Sequence, residues 1–345
     1  MLKEKFDPAK VPFGTSFTDH MFLMEYDEEQ GWYDARIVPL QEISLSPGAM
    51  VLNYGSEVFE GLKAYRTPDG GVQMFRPQEN FARMNRSAER LCLPAFDEAL
   101  ALEGLKKLVE LDADWVPDAP GQSLYIRPVM IATDIDLALH GIHKALFYII
   151  TCPVGSYYAG GLQPVELLIE TEDVRAVRGG TGYAKCGGNY AAAARATKKA
   201  EEKGYAQVLW LDGVERKYVE EGGGMNVMFI WNGSLVTPEL NGSILPGVTR
   251  KSILELAKNW GMQVEERMIP VEELLDGIRK GEVQEAFMCG TAAVVTPIGG
   301  LIYGEEKVIV NGNQIGALTQ KIYDNLTGIQ WGKQEDPFGW TVKVK

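Results

Sequence analysis

No two cysteines in this sequence are separated by only two residues. The four present are Cys92, Cys152, Cys186 and Cys289, so neither a CxxC pair nor a zinc-type spacing exists. Reduced thiols in a cytoplasmic protein are the default expectation. Histidine is scarcer still, with three in the chain. His140 and His143 lie three apart, and the pair is read as lacking a carboxylate or cysteine frame, so no metal site is expected. No apolar run approaches a membrane span; the longest, 145–153, has the length of a strand. Residues 1–11 are charged and hold no apolar h-region, so no signal peptide is expected. Basic residues are outnumbered, 34 Lys and Arg against 47 Asp and Glu, and the net charge of −13 argues against nucleic acid or an anionic membrane as partner. Internal repeats and low-complexity tracts are missing.

What is present is the composition of an ordinary globular protein, 46% hydrophobic and 23% charged over 345 residues, a length that suggests two domains. Strands are expected over 21–26 and 36–40. A hairpin is expected from 62–65 and 72–75 around Pro68-Asp69-Gly70-Gly71. Phe81, Met84, Ala88 and Leu91 recur at helical spacing, and Asp97 is placed to cap a second helix. Strands follow over 123–131 and 145–152. A Gly/Pro-rich stretch, 153–164, is the best domain boundary. Beyond it the pattern predicts a strand over 165–169 and an alanine-rich helix over 189–203, then strands over 207–211 and 216–219. A hairpin at Asn232-Gly233, helices over 249–260, 271–280 and 315–326, and strands over 285–288 and 293–296 complete the chain.

Four segments, with Arg83 and the Tyr125–Arg127 pair, could carry chemistry. Gly179 to Tyr190 surrounds Lys185 with five glycines and leads into a helix. An amine that forms Schiff bases must reach its neutral form, and glycines let a bulky ligand approach the backbone. A solvated lysine in a flexible loop is the more ordinary reading of the segment at this level. Glu220 and Glu221 precede three glycines and Asn226. A carboxylate beside a pyridine nitrogen keeps it protonated, although a surface turn has the same composition. Leu245-Pro246-Gly247-Val248-Thr249-Arg250 opens a helix whose free N–H groups suit a phosphate, and Gly290-Thr291-Ala292 offers N–H groups and a hydroxyl after a strand. Arg83 fits a phosphate ligand or a solvated charge. Tyr125 and Arg127 share one face of a strand, fit to bind a carboxylate or to pair with a nearby Asp.

In order and number these motifs resemble the branched-chain amino-acid aminotransferases, a family of fold-type IV pyridoxal-phosphate enzymes. The resemblance runs through Tyr54-Gly-Ser-Glu-Val-Phe-Glu-Gly-Leu-Lys-Ala-Tyr65, Phe75-Arg-Pro77, Arg83-Met-Asn-Arg-Ser-Ala88, Arg90-Leu-Cys-Leu-Pro94 and Tyr125-Ile-Arg-Pro128. It continues through Cys152-Pro-Val-Gly155, Lys185-Cys-Gly-Gly-Asn-Tyr190, Gln207-Val-Leu-Trp-Leu211, Glu221 to Asn226, Leu245-Pro-Gly-Val248 and Gly290-Thr-Ala292. It implies an α/β fold of α+β type. A smaller N-terminal domain (1–153) and an interdomain loop (154–164) precede a larger, pseudo-barrel-like cofactor domain (165–345). It implies transfer of the amino group of Leu, Ile or Val to 2-oxoglutarate, with pyridoxal 5'-phosphate on Lys185 as a Schiff base and the same lysine carrying the proton. By resemblance Glu221 meets the pyridine nitrogen and Tyr190 the phenolate oxygen. Arg83, the amides of Val248 and Thr249, and Thr291 form the phosphate cup. Tyr54, Phe59, Tyr125, Arg127 and Tyr157 line the substrate pocket, with Ala292 by the α-carboxylate. A cytoplasmic homodimer is implied, with Leu139 and its loop reaching across. Two departures stand out. Ala293 and Thr296 replace the redox cysteines of the mammalian members, so no thiol switch is expected, and Gly224 replaces a frequent threonine. D-amino-acid aminotransferases and aminodeoxychorismate lyases of the same fold are the alternative, and a non-enzymatic binding module of this fold is a third. The first-half motifs argue against the alternative enzymes, and an intact Lys185, Tyr190 and Glu221 against the module.

Overall fold

The protein is described here by a computed structural model covering residues 5–155 and 161–344. In chain order the strands of the first half are β1 (His20–Asp27), β2 (Gly31–Pro39), β3 (Glu57–Phe59), β4 (Leu62–Arg66), β5 (Val72–Phe75), β6 (Ser123–Ala132) and β7 (Lys144–Val154). Those of the second are β8 (Val165–Ile169), β9 (Gln207–Leu211), β10 (Val219–Gly222), β11 (Met225–Trp231), β12 (Ser234–Pro238), β13 (Val264–Arg267), β14 (Val283–Gly290), β15 (Val294–Tyr303), β16 (Glu306–Ile309) and β17 (Thr341–Lys343). The helices are α1 (Met50–Tyr54), α2 (Pro77–Arg90), α3 (Glu98–Leu111), α4 (Gly187–Glu202), α5 (Val248–Asn259), α6 (Val271–Arg279) and α7 (Ala317–Gln330). Two compact units result. One comprises Met1–Tyr157, Ala184–Gly187 and Gly328–Lys345, the other Tyr158–Tyr183 and Gly188–Thr327. Residues 156–160, within the stretch expected to join two domains, lie outside the described residues. No helix among the described residues is long and apolar enough to cross a membrane.

The first unit is built on an antiparallel sheet ordered β17-β5-β4-β6-β7-β1-β2, with β3 also pairing to β6. Its central strand β6 shows why the sequence alternates as it does. Leu124, Ile126, Met130 and Ala132 face the apolar core together with Phe147 and Ile149 of β7 and Leu62 and Ala64 of β4. Tyr125 and Arg127 point to the other side, because successive strand residues face opposite ways. The core face is covered by α2 and α3, which contribute Phe81, Met84 and Ala88, and Ala101, Leu105 and Leu108. Asp97 caps α3 as expected, its carboxylate accepting from the N–H groups of Ala99 and Leu100. The 62–75 hairpin is likewise borne out as β4 and β5.

In the second unit the strand path β10-β9-β8-β15-β14-β11 closes on itself, because β10 also pairs with β11. This six-stranded ring is the barrel-like element that the resemblance implied. Leu167, Ile169, Leu209 and Leu211 pack on one side with Val227, Phe229 and Met288. The alternate residues Leu168, Val208 and Trp210 pack on the other against Ala196 and Ala200 of α4. Ala196 and Ala200 of α4 therefore have a packing reason: small side chains let a helix lie close over Trp210. The expected strand at 216–219 begins later, at Val219. Asp212 holds the preceding residues in a turn by accepting from the N–H groups of Val214, Glu215, Lys217 and Tyr218.

Gly104 marks a close approach of α3 to the first sheet, since a Cβ there would collide with the ring of Phe22. Gly104→Ala is expected to cost about 1–3 kcal/mol through overpacking, more than alanine gains in a helix. An unchanged urea midpoint in that variant would contradict the packing described.

Candidate active site

In the first unit the site is assembled on the polar face of the sheet. Register places Lys63 of β4 and Cys152 of β7 opposite Tyr125, Phe59 of β3 opposite Val129, and Tyr148 of β7 opposite the same Val129. These residues share the Tyr125–Arg127 side. The Arg127 guanidinium lies 4.8 Å from the Phe59 ring centroid and 5.4 Å from that of Tyr125, and its Nη2 donates to the Tyr125 hydroxyl at 3.2 Å. Gly61 makes room for that hydroxyl, because a Cβ there would collide with it. Lys185 joins the same group. The Phe59 N–H donates to the Lys185 carbonyl at 3.0 Å, and the Lys185 N–H donates to Ser87 Oγ at 2.9 Å. Its Nζ sits 4.9 Å from the Phe59 centroid. One aromatic ring thus touches two cations from β6 and from the lysine segment.

Arg83 is not a solvated charge. It is buried on α2, and its Nε and Nη2 donate to the two oxygens of Glu60 at 2.7 and 2.8 Å. Burial opposes the charge on Glu60, but Arg83, with help from Lys185 and Asn80, outweighs it and holds the carboxyl below its ordinary range. Glu57 behaves differently. Burial pushes its carboxyl upward against the pull of Arg127 and the Gly187 N–H. Burial also brings the Lys63 amine down to about 8. Tyr54 sits apart on α1, half exposed, with its hydroxyl donating to the Leu137 carbonyl.

In the second unit Glu221 and Glu220 are both buried and alternate along β10. The Glu220 carboxylate accepts from Asn241 Nδ2 and Ser243 Oγ. Glu221 accepts from the Leu245 N–H at 2.7 Å and lies 3.4 Å from Arg175 Nη2. Asn226, opposite Glu221 on β11, donates from Nδ2 to the Leu245 carbonyl at 2.9 Å. Both ends of Leu245 are therefore clamped. Two residues on, Gly247 starts α5 with no side-chain cap, and a Cβ at Gly247 would collide with Asn226 Oδ1. Val248 and Thr249 are the first two helical residues, whose N–H groups have no partner within the helix itself. α5 packs on β14, and Thr291 and Ala292 form the half-buried turn that follows that strand. Tyr190 lies on α4 beside Gly224, where an added Cβ would stand 3.9 Å from its ring.

Residues 57–301 match the family described as Amino-transferase class IV. Branched-chain-amino-acid aminotransferase 2 of Bacillus subtilis (strain 168) is 53% identical over 342 residues, covering 99% of this chain and 94% of the relative. The chain belongs to the class IV aminotransferase family. Among solved structures, a branched-chain amino acid aminotransferase of Escherichia coli superposes with a TM-score of 0.79 at 27% identity, covering 94% of this chain and 99% of that one. The T.th. branched-chain amino acid aminotransferase complexed with N-(5'-phosphopyridoxyl)-L-glutamate superposes with a TM-score of 0.77, also at 27% identity, over 94% and 98% of the two chains.

Against this family background, the structure brings Phe59, Tyr125, Arg127 and Lys185 together, and in the other unit aligns Glu221 with the segment leading to Val248 and Thr249. Tyr157 lies outside the described residues. Sequence reasoning missed Glu57, Glu60, Lys63 and Arg175. Three of them stood inside a motif already singled out, but pattern alone gives no reason to choose them. It also missed Val294, a β-branched residue with φ of +64° immediately after Ala293. The view of His140 and His143 needs correction as well. The chain turn between β6 and β7 brings the buried Asp134 carboxylate to 3.1 Å from His143 Nδ1, a frame that nine residues of separation concealed.

The cysteines divide clearly. Cys92 is exposed, while Cys152, Cys186 and Cys289 are buried. Burial pushes the Cys152 and Cys289 thiols up to about 11 and about 12. At pH 8 the folded protein is expected to give one fast-reacting thiol with a disulfide reagent, at Cys92, and the other three only after denaturation. Rapid labelling of Cys289 in the native state would overturn this.

Proposed function

We propose that the chain is a pyridoxal-phosphate-dependent aminotransferase that moves the amino group of L-Leu, L-Ile or L-Val to 2-oxoglutarate. The observation that carries this reading is the setting of Lys185. Its backbone is fixed on both sides by Phe59 and Ser87, and its amine stands over Phe59 on the sheet face that bears Tyr125 and Arg127. When bound, pyridoxal phosphate supplies an aldehyde that condenses with amines and a ring that accepts electrons from the substrate Cα. Lys185 holds that group and afterwards carries the proton to and from the substrate Cα. Glu221 is assigned to the ring nitrogen; the buried clamp with Leu245 and Arg175 supports a fixed carboxylate there. Tyr190 is assigned to the phenolate oxygen. The amides of Val248 and Thr249, the Thr291 hydroxyl and Arg83, oriented by Glu60, are assigned to the phosphate.

For substrate, Phe59 and Tyr125 offer aromatic surface suited to branched apolar side chains, and the assignment of Tyr54, which sits apart on α1, rests on the family resemblance. Arg127, bonded to Tyr125, is the group for the γ-carboxylate of glutamate, and Ala292 is assigned to the α-carboxylate side. The assignment of Tyr157 rests on the family resemblance. A substrate panel tests the reading. L-Leu with 2-oxoglutarate is expected to yield glutamate and D-Ala is not; the reverse result would transfer the chain to the D-amino-acid branch of the family. Lys185→Ala is expected to lose about 1,000-fold or more in turnover, and borohydride reduction should fix the cofactor to Lys185.

The chain is further proposed to act as a cytoplasmic homodimer. Four free thiols suit a reducing compartment. Leu52, Ile135, Leu137 and Leu139 are 61–78% exposed in neighbouring stretches, tied together by the Ala49–Ile135 bridge and the Tyr54–Leu137 bond. A second copy of the chain is the occupant that would cover such a patch. Light scattering should give a dimer for the native chain and a monomer for a Leu137→Glu, Leu139→Glu variant; a monomeric native chain would refute the proposal.

A further inference from the structure

We propose that the turn between β6 and β7 binds a zinc-class divalent ion between Asp134, His140 and His143. One ligand atom from each of these three residues lies within 4.8 Å of the others. Four-coordinate zinc with bonds near 2.0–2.1 Å sets its ligand atoms about 3.3 Å apart. The pair His143 Nδ1 and Asp134 Oδ1 already stands at 3.1 Å. The remaining closure falls to His140, which is only half-buried on an exposed segment.

Asp134 is the rigid member. Its side chain is buried, and its oxygens accept from the N–H groups of His143 and Lys144 at 3.0–3.3 Å. The carboxylate is therefore held in place by the start of β7. The imidazoles stack on one another, with ring centroids 4.8 Å apart at 29°, so their nitrogens are presented side by side. Each ring also has an outer acceptor. His140 Nδ1 donates to the Gly141 carbonyl at 2.5 Å, which leaves Nε2 for the ion, and Glu28 Oε2 stands 3.8 Å from His143 Nε2. Acceptors in that position orient metal-bound imidazoles and strengthen them as ligands. Asp136 Oδ2, 3.4 Å from His140 Nε2, stands on the metal-facing side as a further oxygen ligand. Lys144, the cation next along the chain, is paired with Asp27 at 3.8 Å. Three carboxylates facing two imidazoles favour a dication, and imidazole nitrogen with carboxylate oxygen favours zinc over calcium or magnesium. Bound there, the ion would fasten residues 135–143, which carry Leu137 and Leu139, to the end of the sheet.

The test uses the full chain saturated with its cofactor, free of any affinity tag and stripped of metal by a chelator. Calorimetric titration with zinc chloride should show one ion bound per chain. His140→Gln and His143→Gln should each weaken binding by about a hundredfold, and Glu28→Gln, which changes only an outer group, by about tenfold. Metal-free thermal unfolding of the variants should match that of the native chain, as expected for side chains at the surface. Zinc should slow amide exchange over 135–143 in the native chain and leave the His140→Gln, His143→Gln double variant unchanged. Absence of a one-to-one site, or binding that persists in the double variant, would overturn the proposal, and neither result bears on the aminotransferase reading.

Discussion

The peptide of Leu245 is held at both ends, and the ligand-facing geometry of the second unit depends on that. Its N–H is taken by Glu221 and its carbonyl by Asn226, residues opposite one another on β10 and β11. These two strands also close the barrel. Closing the ring therefore sets the position of a carboxylate and, through Leu245 and the collision-limited Gly247, the start of α5. One backbone unit ties a negative side chain to a helix end with free N–H groups. Arg175 braces the same carboxylate and the Ser243 carbonyl just upstream. Glu221 is fixed by a strand buried along its whole length, and the start of α5 is tied to β10 and β11 through Leu245.

The first unit uses a different device. A sheet whose one face is core keeps Tyr125, Arg127, Phe59 and Lys63 on the other, and Lys185 is added to it by two backbone hydrogen bonds from separate elements. The buried Arg83–Glu60 pair sits beneath, with both oxygens of Glu60 engaged by the guanidinium. Removing either partner would leave an uncompensated buried charge, which is far more costly than the pair itself is favourable. The pair is thus a fixed support for the lysine segment.

Much of this was legible in the sequence, for identifiable reasons. Strand alternation revealed that Tyr125 and Arg127 share a face, the Asp97 cap announced α3, and glycine clusters marked Lys185 and Glu221. These signals are local, and local geometry carries them. What escaped were contacts between distant segments. Nothing near Arg83 in sequence indicates that Glu60 will meet it, and nothing near Glu221 points to Arg175. The pairing of β10 with β11 closes the ring only once six strands are in place. Asp134 was invisible as a partner of His143 because the turn that joins them had first to form. Val294 escaped for another reason: pattern reading assumes relaxed backbone, and a β-branched residue at positive φ violates that assumption.

Strand β6 alternates between two duties, and this separates what evolution can change in it. Leu124, Ile126, Met130 and Ala132 are answerable to the core, while Tyr125 and Arg127 are answerable to whatever occupies the open face. Selection can therefore retune ligand preference at odd-numbered positions while folding is left in the care of even-numbered ones. An insertion or deletion of a single residue, by contrast, would exchange the two sets at once. Point substitution, and not length variation, is the route by which this strand can diversify.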